Sequence, residues 1–205
     1  MPLIEIKKKN NYSYGIWKIT ENKEFLLNIL NPNNQELKHI NRINNLKRKK
    51  QNIGARLILN TLSNKKTQIN YNKLGAPSCI DFNYISISHS NEYCIVIVNK
   101  DPIGIDIQYQ KSNITDISKK FINSNELKHT TTSIKELHFI WCAKEAIYKT
   151  INTYPVSLKE NIYIQPFDKK METTGYYKNK EKVITYKIMC KKMENYFIAI
   201  AIKKI

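Results

Sequence analysis

Arginine is scarce in this 205-residue sequence: only Arg42, Arg48 and Arg56 stand among 34 Lys and Arg residues. Acidic residues are few as well, 17 Asp and Glu, which leaves a formal charge of +17 with histidine neutral. Lysine together with abundant Asn and Ile is what A/T-rich coding produces, so a solvated lysine surface with no specific partner is one reading of the excess and an anionic partner the other. Such a surface attracts anions: nucleic acid, phosphates, acidic proteins or anionic membrane. The four cysteines, Cys79, Cys94, Cys142 and Cys190, contain no C-x-x-C pair. That spacing excludes a closed zinc site and a disulfide framework and suits free thiols in a reducing compartment. No stretch approaches the roughly 18 apolar residues of a membrane span. The longest apolar run, 196–202, is strand-sized, and the opening MPLIEIKKKN lacks the apolar core of a secretory signal. A cytoplasmic, soluble protein with no membrane contact is expected. The 13 tyrosines and the positive charge raise nucleic-acid binding as an alternative. The aromatic and basic residues are scattered, however, with no zinc finger, RNP-like string or basic heptad helix, so no nucleic-acid partner is expected.

Hydrophobic residues at 41% and charged residues at 25% suit one compact domain or two fused small halves. No repeat of solenoid period is present. A strand is expected over 15–20. Residues 35–50 carry Leu37, Ile40, Ile43 and Leu46 at spacing three, which predicts a helical stripe, continuing over 53–62 with Ile53, Leu57 and Leu62 inward. Residues 70–81 read as a turn-rich loop with Gly75 and Pro77. Strands follow at 84–90, at 92–99 (apolar on both faces, hence central) and at 103–109, then a helical block over 114–151 and strands near 161–165, 183–190 and 196–202. Strands, helices, then strands in each half indicate an α+β protein divided at the Asp101–Pro102 turn.

Two elements break their own pattern. In the strand over 103–109, Ile103, Ile105 and Ile107 supply an apolar face, and period two puts Gly104, Asp106 and Gln108 on the other. A carboxylate beside a residue with no side chain leaves room for something to approach. In the helix over 133–151, taking Leu137 as zero at ~100° per residue, the apolar face centres near ~340°. Lys144 falls on that centre, while Glu145 and Lys149 flank it as i,i+4 neighbours. An unpaired buried ammonium costs several kcal/mol, so Lys144 needs a partner or a route to solvent. His89 closes the strand over 84–90 between Ser88 and Ser90, and strand ends are where ligand groups collect.

Three strings in order, ISISHS at 85–90, GIDIQ at 104–108 and WCAKEAIYK at 141–149, resemble the signature blocks of the 4′-phosphopantetheinyl transferases. KFINSNE at 120–126 resembles the family's F-then-E segment, and NKLGAP at 72–77 its G-K-P loop. The length resembles the surfactin-synthetase-activating (Sfp-like) branch rather than the short holo-carrier-protein synthases. That resemblance implies two similar α/β halves forming a pseudo-dimer within one monomeric chain, with the active site between them: residues 1–101 for nucleotide contacts, 102–205 for metal and catalysis.

The resemblance further implies transfer of the 4′-phosphopantetheine arm of coenzyme A to a serine of an apo carrier protein, with release of 3′,5′-ADP and with Mg²⁺ as cofactor. Asp106 and Glu145 match the family's metal carboxylates, Glu145 being also the candidate general base. Lys149 matches a phosphate-contacting lysine, and for Lys144 the diphosphate or Glu145 is the expected partner. Ser88 and His89 match nucleotide contacts, with Lys50, Arg56 and Lys73 as basic candidates whose register is open. Gln108 stands where many relatives carry a third carboxylate, and Ala76 replaces the G-K-P lysine. Weaker metal affinity is therefore expected. An inactive relative acting as scaffold is the other alternative. Carrier proteins of this kind are typically acidic, and a basic surface would steer them.

Overall fold

The computed structural model describes residues 3–9, 11–151 and 155–204, so Met1, Pro2 and Asn10 of the opening segment lie outside it. The chain divides into two compact units, Met1–Lys100 and Asp101–Ile205. Each is an antiparallel sheet with one long helix across a face, a mixed α/β architecture. No helix among the described residues is long and apolar enough to cross a membrane.

Unit 1 contains β1 (Leu3–Lys8), β2 (Tyr12–Lys18), α1 (Lys23–Leu30), α2 (Asn34–Asn41), α3 (Leu46–Ser63), the short pair β3 (Asn70–Tyr71) and β4 (Pro77–Ser78), β5 (Tyr84–Ser90) and β6 (Tyr93–Asn99). Its main sheet runs β1-β2-β6-β5. All seven residues of β6 are buried, as its doubly apolar pattern predicts. The helical stripe expected over 35–50 is not continuous. The chain leaves α2 after Asn41, and Asn45 caps a new helix by accepting the Arg48 N–H at 3.0 Å. Ile40 of the stripe is buried, but Leu46, the first residue of α3, is exposed. Asn and Ser side chains compete for backbone donors and so start helices where apolar periodicity alone would run through. Ile53, Leu57 and Leu62 of α3 pack inward with Trp17, Cys94 and Val96.

Unit 2 contains β7 (Ile103–Tyr109), α4 (Ile114–Ile117), a 3₁₀ turn (Ser118–Lys120), α5 (Ser124–Leu127), α6 (Ile134–Tyr148), β8 (Ile162–Ile164), β9 (Glu172–Lys178), β10 (Val183–Met193) and β11 (Tyr196–Lys203). The sheet order is β7-β11-β10-β9-β8. β1 and β9, the latter with the sequence ETTGYYK, lie outside the strands expected from the sequence.

The β7 pattern has an outcome the alternation did not anticipate: the polar-looking face is the one the helix covers. Ala201 pairs with Gly104 and Ala199 with Asp106 across the β7–β11 ladder, placing small side chains beside both. A Cβ on Gly104 would lie 1.8 Å from the Ala146 carbonyl oxygen of α6. The space left by Gly104 is filled by helix backbone, which brings the last turns of α6 down onto β7.

Replacing Gly104 with alanine forces backbone against backbone. Urea denaturation should show a loss of ~3 kcal/mol or more, or no folded protein. Gly75→Ala, at φ 79° with no heavy atom near its Cβ, should cost only ~1–2 kcal/mol. Equal costs at the two glycines would overturn the close-approach argument.

Candidate functional site

In unit 2 the crossing of β7 and α6 brings Asp106, Glu145 and Lys149 together. Asp106 is buried. Lys149, one residue past α6, donates from Nζ to Asp106 Oδ1 at 2.8 Å and to the Ile105 carbonyl at 2.9 Å. Glu145, one turn earlier, has its carboxyl pushed up to about 7, first by burial and then by the Asp106 charge, with Lys149 acting in the opposite direction. The cluster thus holds two carboxylates and one ammonium, an excess of negative charge in a partly desolvated place. Such a group is poised to take a proton near neutrality or to receive a cation.

Lys144 is not part of this cluster. Its side chain is fully buried, and four acceptors surround Nζ: Glu126 Oε2 at 2.7 Å and the carbonyls of Phe121 at 2.6 Å, Leu158 at 2.9 Å and Ile162 at 2.7 Å. This corrects the expectation that a diphosphate or Glu145 would be its partner. The helix periodicity locates the reason: Lys144 sits at the centre of the buried face, ~100° round from Glu145. Burial lowers its pKa, with Glu126 opposing the shift. Glu126 in turn accepts the Ile164 N–H at 2.8 Å and the Asn123 N–H at 3.0 Å. The second of these bonds completes a capping box whose N-x-x-E spacing is visible in the sequence. What spacing does not show is that a residue 18 positions away answers the buried lysine.

In unit 1, His89 at the end of β5 meets Arg48, whose Nη1 lies 2.6 Å from His89 Nδ1. Both line a cleft of about 390 Å³ floored by Gln51 and Asn52 and edged by Gly75 and Pro77. Ser88, the neighbouring β5 residue, is buried. The expected basic residues are elsewhere. Lys50 donates to the Glu21 carbonyl at 2.8 Å and lines another groove. Arg56 is buried against a separate cavity, and Lys73 is exposed and does not line the cleft. Arg48 was missed because the position of the α3 cap sets its direction. A readable signal existed: Arg48, Gln51, Asn52 and Ala55 fall at helical spacing and all face the cleft.

Among the described residues no group of three or more His, Cys, Asp or Glu side chains is placed to hold a metal ion. The Asp106–Glu145 pair nevertheless fits a hard divalent ion. Mg²⁺ is commonly held by one or two protein carboxylates and completed by water and substrate oxygens. Burial and then the Asp106 charge raise Glu145, and such an ion would relieve the second of these.

Residues 102–201 match the family model described as the 4′-phosphopantetheinyl transferase superfamily. Over 107 residues the chain is 28% identical to the 4′-phosphopantetheinyl transferase of Bacillus subtilis, covering 46% of this chain and 47% of that protein. It is 27% identical over 131 residues to the 4′-phosphopantetheinyl transferase gsp of Aneurinibacillus migulanus, covering 60% and 54%. The chain therefore spans about half the length of these curated relatives.

Two measurements check the site's electrostatics. Glu145 has a folded pKa of about 7, above its ordinary 4.5, so the stability it contributes is complete below about 4.5 and is lost as pH rises through about 7. In metal-free buffer Glu145→Gln should exceed wild type by ~1–3 kcal/mol at pH 8, with the gap closing towards pH 4.5. A pH-independent gap would show that the carboxyl is not raised. Lys144→Met leaves Glu126 buried and uncompensated and should cost ~3–5 kcal/mol, read as the urea midpoint. Lys144→Met/Glu126→Gln should recover part of that loss.

Proposed function

We propose, from the match of residues 102–201 to the family model of the 4′-phosphopantetheinyl transferase superfamily, that this chain transfers the 4′-phosphopantetheine arm of coenzyme A to a serine of an apo carrier protein and releases 3′,5′-ADP. The observation that carries this reading is the Asp106–Glu145–Lys149 cluster at the β7–α6 crossing. The reaction forms a bond from the serine Oγ to the β-phosphorus of coenzyme A and breaks that phosphorus's bond to the bridging oxygen, which leaves with 3′,5′-ADP. The serine proton goes to Glu145 or to a water that it orients. Lys149 steadies Asp106 and shares its positive charge with the diphosphate. Asp106 and Glu145 would hold Mg²⁺, which when bound supplies charge neutralisation at the cleaved anhydride.

Unit 1 supplies the nucleotide contacts in this reading. Arg48 and His89 offer donors to the 3′-phosphate, and the cleft bounded by Gly75 and Pro77 receives the base. Ala76 removes one cation from that rim relative to the family's loop, and Arg48 supplies another. The +17 charge favours an acidic carrier as acceptor.

The test is incubation with coenzyme A, Mg²⁺ and an apo carrier, followed by intact mass of the carrier. Wild type should add the arm, while Asp106→Ala and Glu145→Ala should each lower turnover by ~10²-fold or more. Near wild-type turnover by either variant would remove the cluster from the chemistry. Mg²⁺ should raise the melting temperature of wild type and leave that of Asp106→Asn/Glu145→Gln unchanged.

A further inference from the structure

Arg56 is a buried cation that the foregoing chemistry does not use. It lies in the middle of α3 and is 1% exposed. Two of its nitrogens, Nε and Nη1, have no hydrogen-bond partner among the described residues. The nearest carboxylate oxygen, Glu36 Oε1, is 3.8 Å from Nε, too far for a hydrogen bond. Glu36 is also committed elsewhere, because its Oε2 accepts the Asn33 N–H at 3.2 Å to complete the α2 capping box. A desolvated guanidinium with unsatisfied nitrogens is costly; its side chain also hydrogen-bonds that of Tyr71, and the residue lines a cavity.

That cavity, about 370 Å³, lies in unit 1 between α2, α3 and the strand that ends at Tyr71. Lys38 and His39 of α2 and Arg42 just past its end line it with Arg56, and Glu36 is the one acidic residue of the lining. The His39 ring stacks on the Tyr71 ring at 5.2 Å and 2° between planes, a flat wall. Burial and then the nearby Arg56 and Arg42 charges lower the His39 pKa, consistent with net positive surroundings. Tyr71 is the one residue shared with the lining of the Arg48–His89 cleft, so the two cavities are neighbours with otherwise separate walls.

We propose that unit 1 carries a second oxyanion site, centred on Arg56 and walled by His39, Arg42 and Tyr71, which takes a phosphate or carboxylate group borne on a small molecule. A guanidinium fork matches both groups. The volume exceeds what one such group needs and lies in the range of small-ligand sites. The site does not rest on the transferase reading, and its failure would leave that reading intact.

Because the chain has three arginines, a ¹⁵N spectrum of arginine Nε–H groups contains three signals, assignable with Arg42→Lys and Arg48→Lys. Inorganic phosphate is titrated at neutral pH and low salt, with acetate in a parallel arm. The Arg56 signal should move saturably in wild type and equally in Arg48→Lys, and the arm that saturates at lower concentration identifies phosphate or carboxylate as the preferred group. Arg42→Ala, an exposed position, should weaken the response by about tenfold without lowering the melting temperature. An Arg56 signal unmoved by both anions overturns the proposal. So does one that follows the Arg48 signal and stops moving in Arg48→Lys, because the two cavities would then be one site.

Discussion

The close seating of α6 on β7 governs the rest of unit 2. Gly104 allows the Ala146 carbonyl to occupy the position of a side chain, and Ala199 and Ala201 on the adjacent strand keep the neighbouring surface low. With the helix that near, Glu145 and Lys149 reach the level of Asp106, two residues along β7. The electrostatics follow from this approach. Asp106 gains the Lys149 ammonium, and Glu145, beside a second carboxylate and partly out of water, ionises with difficulty. A larger residue at 104 would lift the helix and separate the groups whose interaction makes the site.

Adjacent residues of α6 meet opposite electrostatic fates. Lys144 is fully withdrawn from water, and its cost is offset by Glu126 and three carbonyls. Glu145, the next residue, is partly withdrawn from water beside the Asp106 carboxylate, with Lys149 acting in the opposite direction. The first arrangement ties α6 to α5, to the segment before β8 and to β8 itself, and so stabilises the helix that presents the second. A surplus of like charge can persist at a site because the neighbouring charge is compensated.

Unit 1 follows a related logic on α3. The Asn45 cap fixes the helical phase, which directs Arg48, Gln51 and Asn52 to the His89 cleft and Arg56, two turns later, to a different cavity. The two arginines of α3 are thereby set on the walls of two cavities with distinct chemical surroundings.

Much of this was legible in the residues themselves. The alternation of β5 and β7, the doubly apolar β6 and the face of α6 that carries Lys144 all depend on local periodicity, which backbone geometry imposes residue by residue. The same periodicity singles out Asp106, Glu145 and Lys149, while the roles proposed for them and for His89 come from the resemblance of the motif blocks. The break between α2 and α3, the partner of Lys144, the identity of Arg48 as the neighbour of His89 and the separate surroundings of Arg56 were decided only in three dimensions. Each depends on a side chain meeting a group far away along the chain, or on which Asn captures a backbone donor. Such choices are set by competition among tertiary contacts, and periodicity carries no record of which competitor wins.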